Sequence, residues 1–148
     1  MRASILFAAV ALLSAGSALA QDAAKPVGVE QKKAPAGASV TIISPKNGET
    51  VGQEFTVKFG VKGIEIKPAG DPTPNTGHHH LLIDVAELPP GNLPIPNDAT
   101  HKHYGKGQTE DTIKLPPGDH TLQLDFADTS HVQFNPPIVS KKITVHVK

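Results

Sequence analysis

No cysteine occurs in this 148-residue chain, and its only methionine is Met1. The first absence excludes disulfides, thiol nucleophiles, iron–sulfur clusters and a lipid anchor on an amino-terminal cysteine. Blue-copper and soft Cu(I) sites need cysteine or methionine sulfur, so they are excluded too. A metal here would have to be held by histidine nitrogen and carboxylate or carbonyl oxygen, a set that suits Cu(II), Zn(II), Ni(II) or Fe(II). An excess of either charge is also missing. Fourteen basic residues stand against fourteen acidic ones, which leaves no global field to gather nucleic acid or an anionic membrane. No Gly-x-Ser-x-Gly elbow, phosphate loop or dinucleotide fingerprint is present, so no common catalytic template applies. No stretch shows sustained helical period. Beyond the amino terminus, no apolar run nears the roughly 20 residues needed to cross a bilayer.

What is present begins with an export signal. Met1-Arg2 is a short positive start, Ile5 to Leu13 is nearly all apolar, and Ala18-Leu19-Ala20 is a small-x-small cleavage site. Cleavage after Ala20 and a periplasmic location are expected, with no integral membrane segment in the mature protein. Residues 1–20 are then the signal, 21–37 a flexible leader of Ala, Lys, Pro and Gly, and 38–148 a single domain with one core. From Ala38 onward short apolar runs are separated by turn residues. Val40, Ile42 and Ile43 form a first strand before the Asn47-Gly48 turn. Phe55, Val57, Phe59 and Val61 alternate with polar residues, as do Leu122, Leu124, Phe126 and later Ile143, Val145, Val147. Six to seven short antiparallel strands predict an all-β, immunoglobulin-like β-sandwich, with a small closed barrel as the alternative. Between Glu87 and Gly107 runs a Pro-rich segment without period, and loops of that length are often functional.

Seven of the eight histidines fall between positions 78 and 131. Imidazole ligates borderline transition metals and titrates near neutral pH. In an extended strand, residues two apart project to one face about 6–7 Å apart. His78 and His80 can therefore offer two nitrogens to one ion, on the face opposite Leu81 and Ile83. His101 and His103 can do the same, and His131 follows a strand. These five are the candidate ligands. His79 and His120 share parity with core residues and read as partly buried support, while His146 reads as an exposed strand residue. Asp84, Asp98, Asp128 and Tyr104 complete the set of residues placed to orient ligands.

Four segments resemble a known family. They are Gly77 to Asp84 (GHHHLLID), His101 to Glu110 (HKHYGKGQTE), Leu115 to Leu124 (LPPGDHTLQL) and Asn135 to Ser140 (NPPIVS). Over residues 39–147 the chain is similar to small exported bacterial proteins classed as a domain of unknown function. That resemblance implies a single periplasmic-type domain and no established activity. The Pro-Pro-Gly-Asp-His-Thr-Leu strand with Asp128 and His131 also resembles, over a shorter stretch, periplasmic copper-resistance β-sandwiches. This sets copper ahead of zinc as the expected ion.

The sequence thus predicts a periplasmic binding protein for a divalent metal, Cu(II) before Zn(II), and not an enzyme. Two rivals remain open. One is an interaction module for a protein or cell-envelope partner, with structural histidines. The other is a redox enzyme using the same metal.

Overall fold

Strict alternation over residues 54–62 buries Val57 and Phe59 and leaves Thr56 and Lys58 exposed, as a strand with one core-facing side must. The computed structural model describes residues 27–148, so the expected signal and the first six leader residues, together 1–26, lie outside the described residues. Ten strands follow one another: β1 (Ser39–Ser44), β2 (Thr50–Val51), β3 (Glu54–Lys62), β4 (Glu65–Ile66), β5 (Thr76–Ile83), β6 (His101–His103), β7 (Glu110–Lys114), β8 (Gly118–Ala127), β9 (Gln133–Val139) and β10 (Ile143–Val147). No helix occurs among the described residues, and none there is long and apolar enough to cross a membrane. The fold is an all-β sandwich.

One sheet is antiparallel, in the order β1-β3-β7. The other is built on β8. One edge of β8 pairs with β10 and then β9, and the other edge pairs with β5. β6 and β4 lie on the far side of β5, and β2 lies beyond β10. The two-residue strands β2 and β4 pair in parallel, against the antiparallel expectation. Between the sheets, Val40, Ile42, Val57, Phe59 and Ile113 meet Leu81, Ile83, Leu122, Leu124, Phe126 and Val145. Fully burying one such side chain contributes about 1.5–3 kcal/mol.

Three further features differ from the sequence reading. The Pro136-Pro137 dipeptide, a turn signal by composition, lies inside β9. The β8–β9 register jumps from Phe126↔Ile138 to Ala127↔Gln133, so Phe134 to Pro137 bulge out of the ladder. Proline is tolerated there because no N–H is required of it. The bulge also holds part of the expected leader. Asn135 N donates to Lys32 O (2.8 Å), Ala34 N donates to Asn135 O (3.0 Å), and Gln31 Nε2 donates to Gln133 O (3.1 Å). Most of these bonds run through backbone groups, which composition cannot reveal.

The third difference is the segment after Glu87. It carries no period because partners, not periodicity, order it. Gln133 Nε2 donates to Pro89 O (3.1 Å), Ile95 N to His131 O (2.8 Å) and Ile83 N to Thr100 O (2.8 Å). The segment then pairs as β6 against β5. It covers the face of β5 that points away from the sandwich core, so all eight residues of β5 are buried.

Leu124 is fully buried at the centre of the sandwich. Leu124→Ala is expected to cost about 2–5 kcal/mol in urea unfolding at an unchanged m-value. A cost below about 1 kcal/mol would mean that the core is centred elsewhere.

Candidate metal centre

Strand parity divides the three consecutive histidines of β5. His79 points into the sandwich, between the rings of Phe59 (5.2 Å between centroids) and Phe126 (5.1 Å). His78 and His80 point to the face under the 87–100 segment. Residues directly opposite in an antiparallel pair share a face. His80 lies opposite His103 on β6 and opposite Asp125 on β8, which brings all three side chains to the covered face.

His131 arrives by a different route, on the turn after β8. Asp128 Oδ1 accepts the N–H groups of Ser130 (2.9 Å) and Val132 (3.1 Å), and His131 N donates to Asp128 O (2.9 Å). The tight turn leaves His131 at φ 64°, a left-handed conformation uncommon outside glycine. Its imidazole thereby reaches the β5 rings, where His131 Nδ1 and His78 Nε2 share a hydrogen bond of 3.1 Å.

Four imidazoles therefore converge. His78–His80, His78–His103 and His78–His131 have ring centroids 4.8, 4.9 and 5.0 Å apart. His80–His103, His80–His131 and His103–His131 are at 5.2, 5.9 and 4.7 Å. One nitrogen from each lies within 4.8 Å of the others, so this group could hold a metal ion.

The electrostatics suit a ligand set. Burial holds His80 down at about 2, helped by the nearby His78, His103 and His131. Burial, with His103 and His131, lowers His78 to about 4, and His103 is also lowered, chiefly by burial. These rings are neutral at physiological pH, the form that binds metal. Nδ1 of His78, Nδ1 of His80 and Nε2 of His103 are buried with no hydrogen-bond partner among the described residues. The same is true of both carboxylate oxygens of Asp125, whose pKa burial raises to about 7.

The model of the family described as "Domain of unknown function (DUF4399)" matches residues 57–148, more than half of the chain. The chain belongs to that family. No curated protein and no solved structure matches it. The DUF4399 match takes in all four converging histidines and Asp125, and leaves out β1 and the leader residues that bond to β9.

His101, expected among the ligands, is not brought into the group. It lies opposite Leu82, two residues along β6 from His103, and its Nδ1 donates to Asp98 Oδ1 (2.9 Å). Asp98 is accordingly pulled down to about 2, first by that bond. Asp98 therefore orients a histidine outside the group. Asp84, just past the same end of β5, does likewise: His120 Nδ1 donates to its Oδ2 (2.7 Å), and His120 Nε2 donates to Pro116 O (2.9 Å). With both nitrogens donating, His120 is favoured as a cation, and its pKa is raised.

Asp128 shapes the turn that presents His131 and pairs with Lys32 (2.9 Å). Tyr104 packs on Phe59 in the core and donates its hydroxyl to Asp111 Oδ2 (2.9 Å). His146 is exposed and hydrogen-bonds Asp119 through Nδ1 (2.6 Å).

Asp125 is the residue that sequence reasoning passed over. Its parity was clear, but alternation alone assigned that face to solvent. Gly105 was also missed. A methyl group there would lie 2.6 Å from His103 Nε2, so only glycine leaves room for that ring.

Acid should act on this cluster in a defined direction. Unfolded imidazoles take up protons near 6.5, whereas folded His78 and His79 do so near 4 and His80 near 2. Unfolding therefore takes up protons below pH 6.5, and the stability present above that pH is lost as it falls toward 4. Asp125 works in the opposite sense: its ionised form costs stability above pH 7, and this cost is relieved as pH falls toward 3.8. The histidines outnumber the carboxylate, so metal-free protein is expected to lose stability from pH 6.5 down to 4. The slope is up to about 1.4 kcal/mol per pH unit for each net proton taken up. Urea midpoints in the presence of a chelator measure it. Asp125→Asn should steepen the loss, and a flat wild-type profile would contradict neutral burial of the rings.

Proposed function

We propose that this protein is an exported, periplasmic binding protein that holds one divalent transition-metal ion through His78, His80, His103 and His131. Its role is storage, buffering or delivery rather than turnover. The observation that carries this reading is the convergence of four imidazoles with a nitrogen from each within 4.8 Å. Lone pairs crowded in this way gain little from one another, and burying polar nitrogens without partners costs free energy. Histidines outside the group differ among themselves: both nitrogens of His120 are bonded, whereas both of the core residue His79 are unpartnered, so it is convergence that marks the group. An ion at about 2.0–2.1 Å from each nitrogen would answer both costs at once.

The arrangement of the rings bears on which ion. In a square-planar site two diagonals are about 1.4 times as long as the four sides, the geometry that Cu(II) prefers. Here only His80–His131 is long, at 5.9 Å, and the remaining diagonal candidate, His78–His103, is 4.9 Å. Four ring centroids spaced more nearly as a tetrahedron than as a square favour Zn(II) over Cu(II). That order reverses the one implied by the copper-resistance resemblance.

A second reading, an immunoglobulin-like interaction module, draws support from a surface groove of about 690 Å³ lined by Glu30 to Lys33, Pro72, Pro74 and Asn75. It leaves the convergence of four imidazoles unexplained.

Elemental analysis and calorimetric titration of tag-free protein decide between them. Wild type and His101→Ala are expected to bind Zn(II) stoichiometrically, and a variant with His78, His80, His103 and His131 all changed to alanine is expected not to. Asp125→Asn, which removes the buried charge beside His80, should weaken binding about 10–100-fold. If wild type and the four-alanine variant both stay folded and bind Zn(II) and Cu(II) equally weakly, the metal reading fails.

A further inference from the structure

Three of the four converging histidines share a second environment. A cavity of about 230 Å³ is lined by His80, His103 and His131, and its remaining walls are Ile95 and Asn97 of the covering segment. His78 is fully buried and does not line it. We propose that this cavity is a ligand position, in which a small anion with an oxygen or nitrogen donor atom adds to the bound metal as a further ligand. The inference rests on the metal reading above and extends it from an ion held by protein alone to an ion that takes an exogenous partner.

Size sets the class of ligand. At about 30 Å³ per water molecule, the cavity exceeds what one water fills, and it falls short of the roughly 300 Å³ at which pockets for larger organic ligands begin. A carboxylate, carbonate or pseudohalide fits that range.

Charge sets the sign. A divalent ion on four neutral imidazoles keeps both of its positive charges. Asp125, opposite His80 and with both oxygens buried and unpartnered, supplies at most one compensating negative charge. Asp128, whose charge also reaches His78, is paired with Lys32 at 2.9 Å, and Asp98 is paired with His101 at 2.9 Å. A net positive centre beside a partly enclosed cavity attracts an anion more strongly than the same charge in water.

The walls divide the remaining work. Ile95 is buried and apolar and limits what can enter, while the Asn97 amide can donate a hydrogen bond to the anion. Zinc can expand from four to five ligands.

The test uses the protein loaded with Co(II), which reports its coordination through visible absorption bands, titrated with sodium azide. Azide is expected to weaken the tetrahedral bands along a saturable curve. Ile95→Phe and Asn97→Tyr both fill the cavity, and Asn97 is exposed enough for its variant to fold if the first does not. Each is expected to load Co(II) as wild type does and to lower azide affinity about tenfold or more. An unchanged spectrum in azide, on wild type that has taken up Co(II) stoichiometrically, would overturn the inference and leave the metal reading standing. Wild-type azide affinity in a folded, Co(II)-loaded cavity variant would overturn it as well. Failure of wild type to take up Co(II) at all would remove the metal reading, and this inference with it.

Discussion

The pairing of His80 with His103 on one side and Asp125 on the other binds three strands into one polar row, and that row lies under a lid of chain. Most sheets of this size turn one face to water. Here β5 has none to turn, because the sandwich core takes His79, Leu81 and Ile83 while the 87–100 segment covers His78, His80 and Leu82. Every unusual property of the site follows from this double burial. It keeps the imidazoles neutral, raises the Asp125 carboxyl, and leaves several ring nitrogens without partners.

The covering segment depends on a few well-placed bonds rather than on an apolar face of its own. Ile95 is its one buried apolar anchor, and backbone bonds from Ile95 to His131 and from Ile83 to Thr100 hold its middle and its far end. The Asp128 turn ties this lid to the strand that precedes it, and Lys32 ties the same aspartate to the leader. The segment 31–34, the turn and the lid are thus mechanically continuous with the ligand His131.

How much of this was legible in the sequence depended on the range of the rule. Period 2 is local, and it separated His79 from His78 and His80 correctly. It also put Phe55, Val57, Phe59, Leu122, Leu124 and Phe126 on core-facing sides, giving the all-β sandwich. Choosing between His101 and His103 needed the β5–β6 register, which a segment with no period of its own does not reveal. The burial of Asp125 required knowing that the lid folds back over β8. The two prolines of β9 were misleading because the bulge that tolerates them is a property of the pairing and not of the segment.

The hydrogen bond between His78 and His131 joins residues 53 positions apart. Loop closure over such a span is paid before any contact can reward it, and contacts of this kind form late in folding. An unfolded chain thus carries the histidines with no centre to offer, and the cluster comes into being only as the turn, the lid and β5 dock together. Whatever binds there binds the finished fold alone, and so acts as a thermodynamic latch on the whole domain.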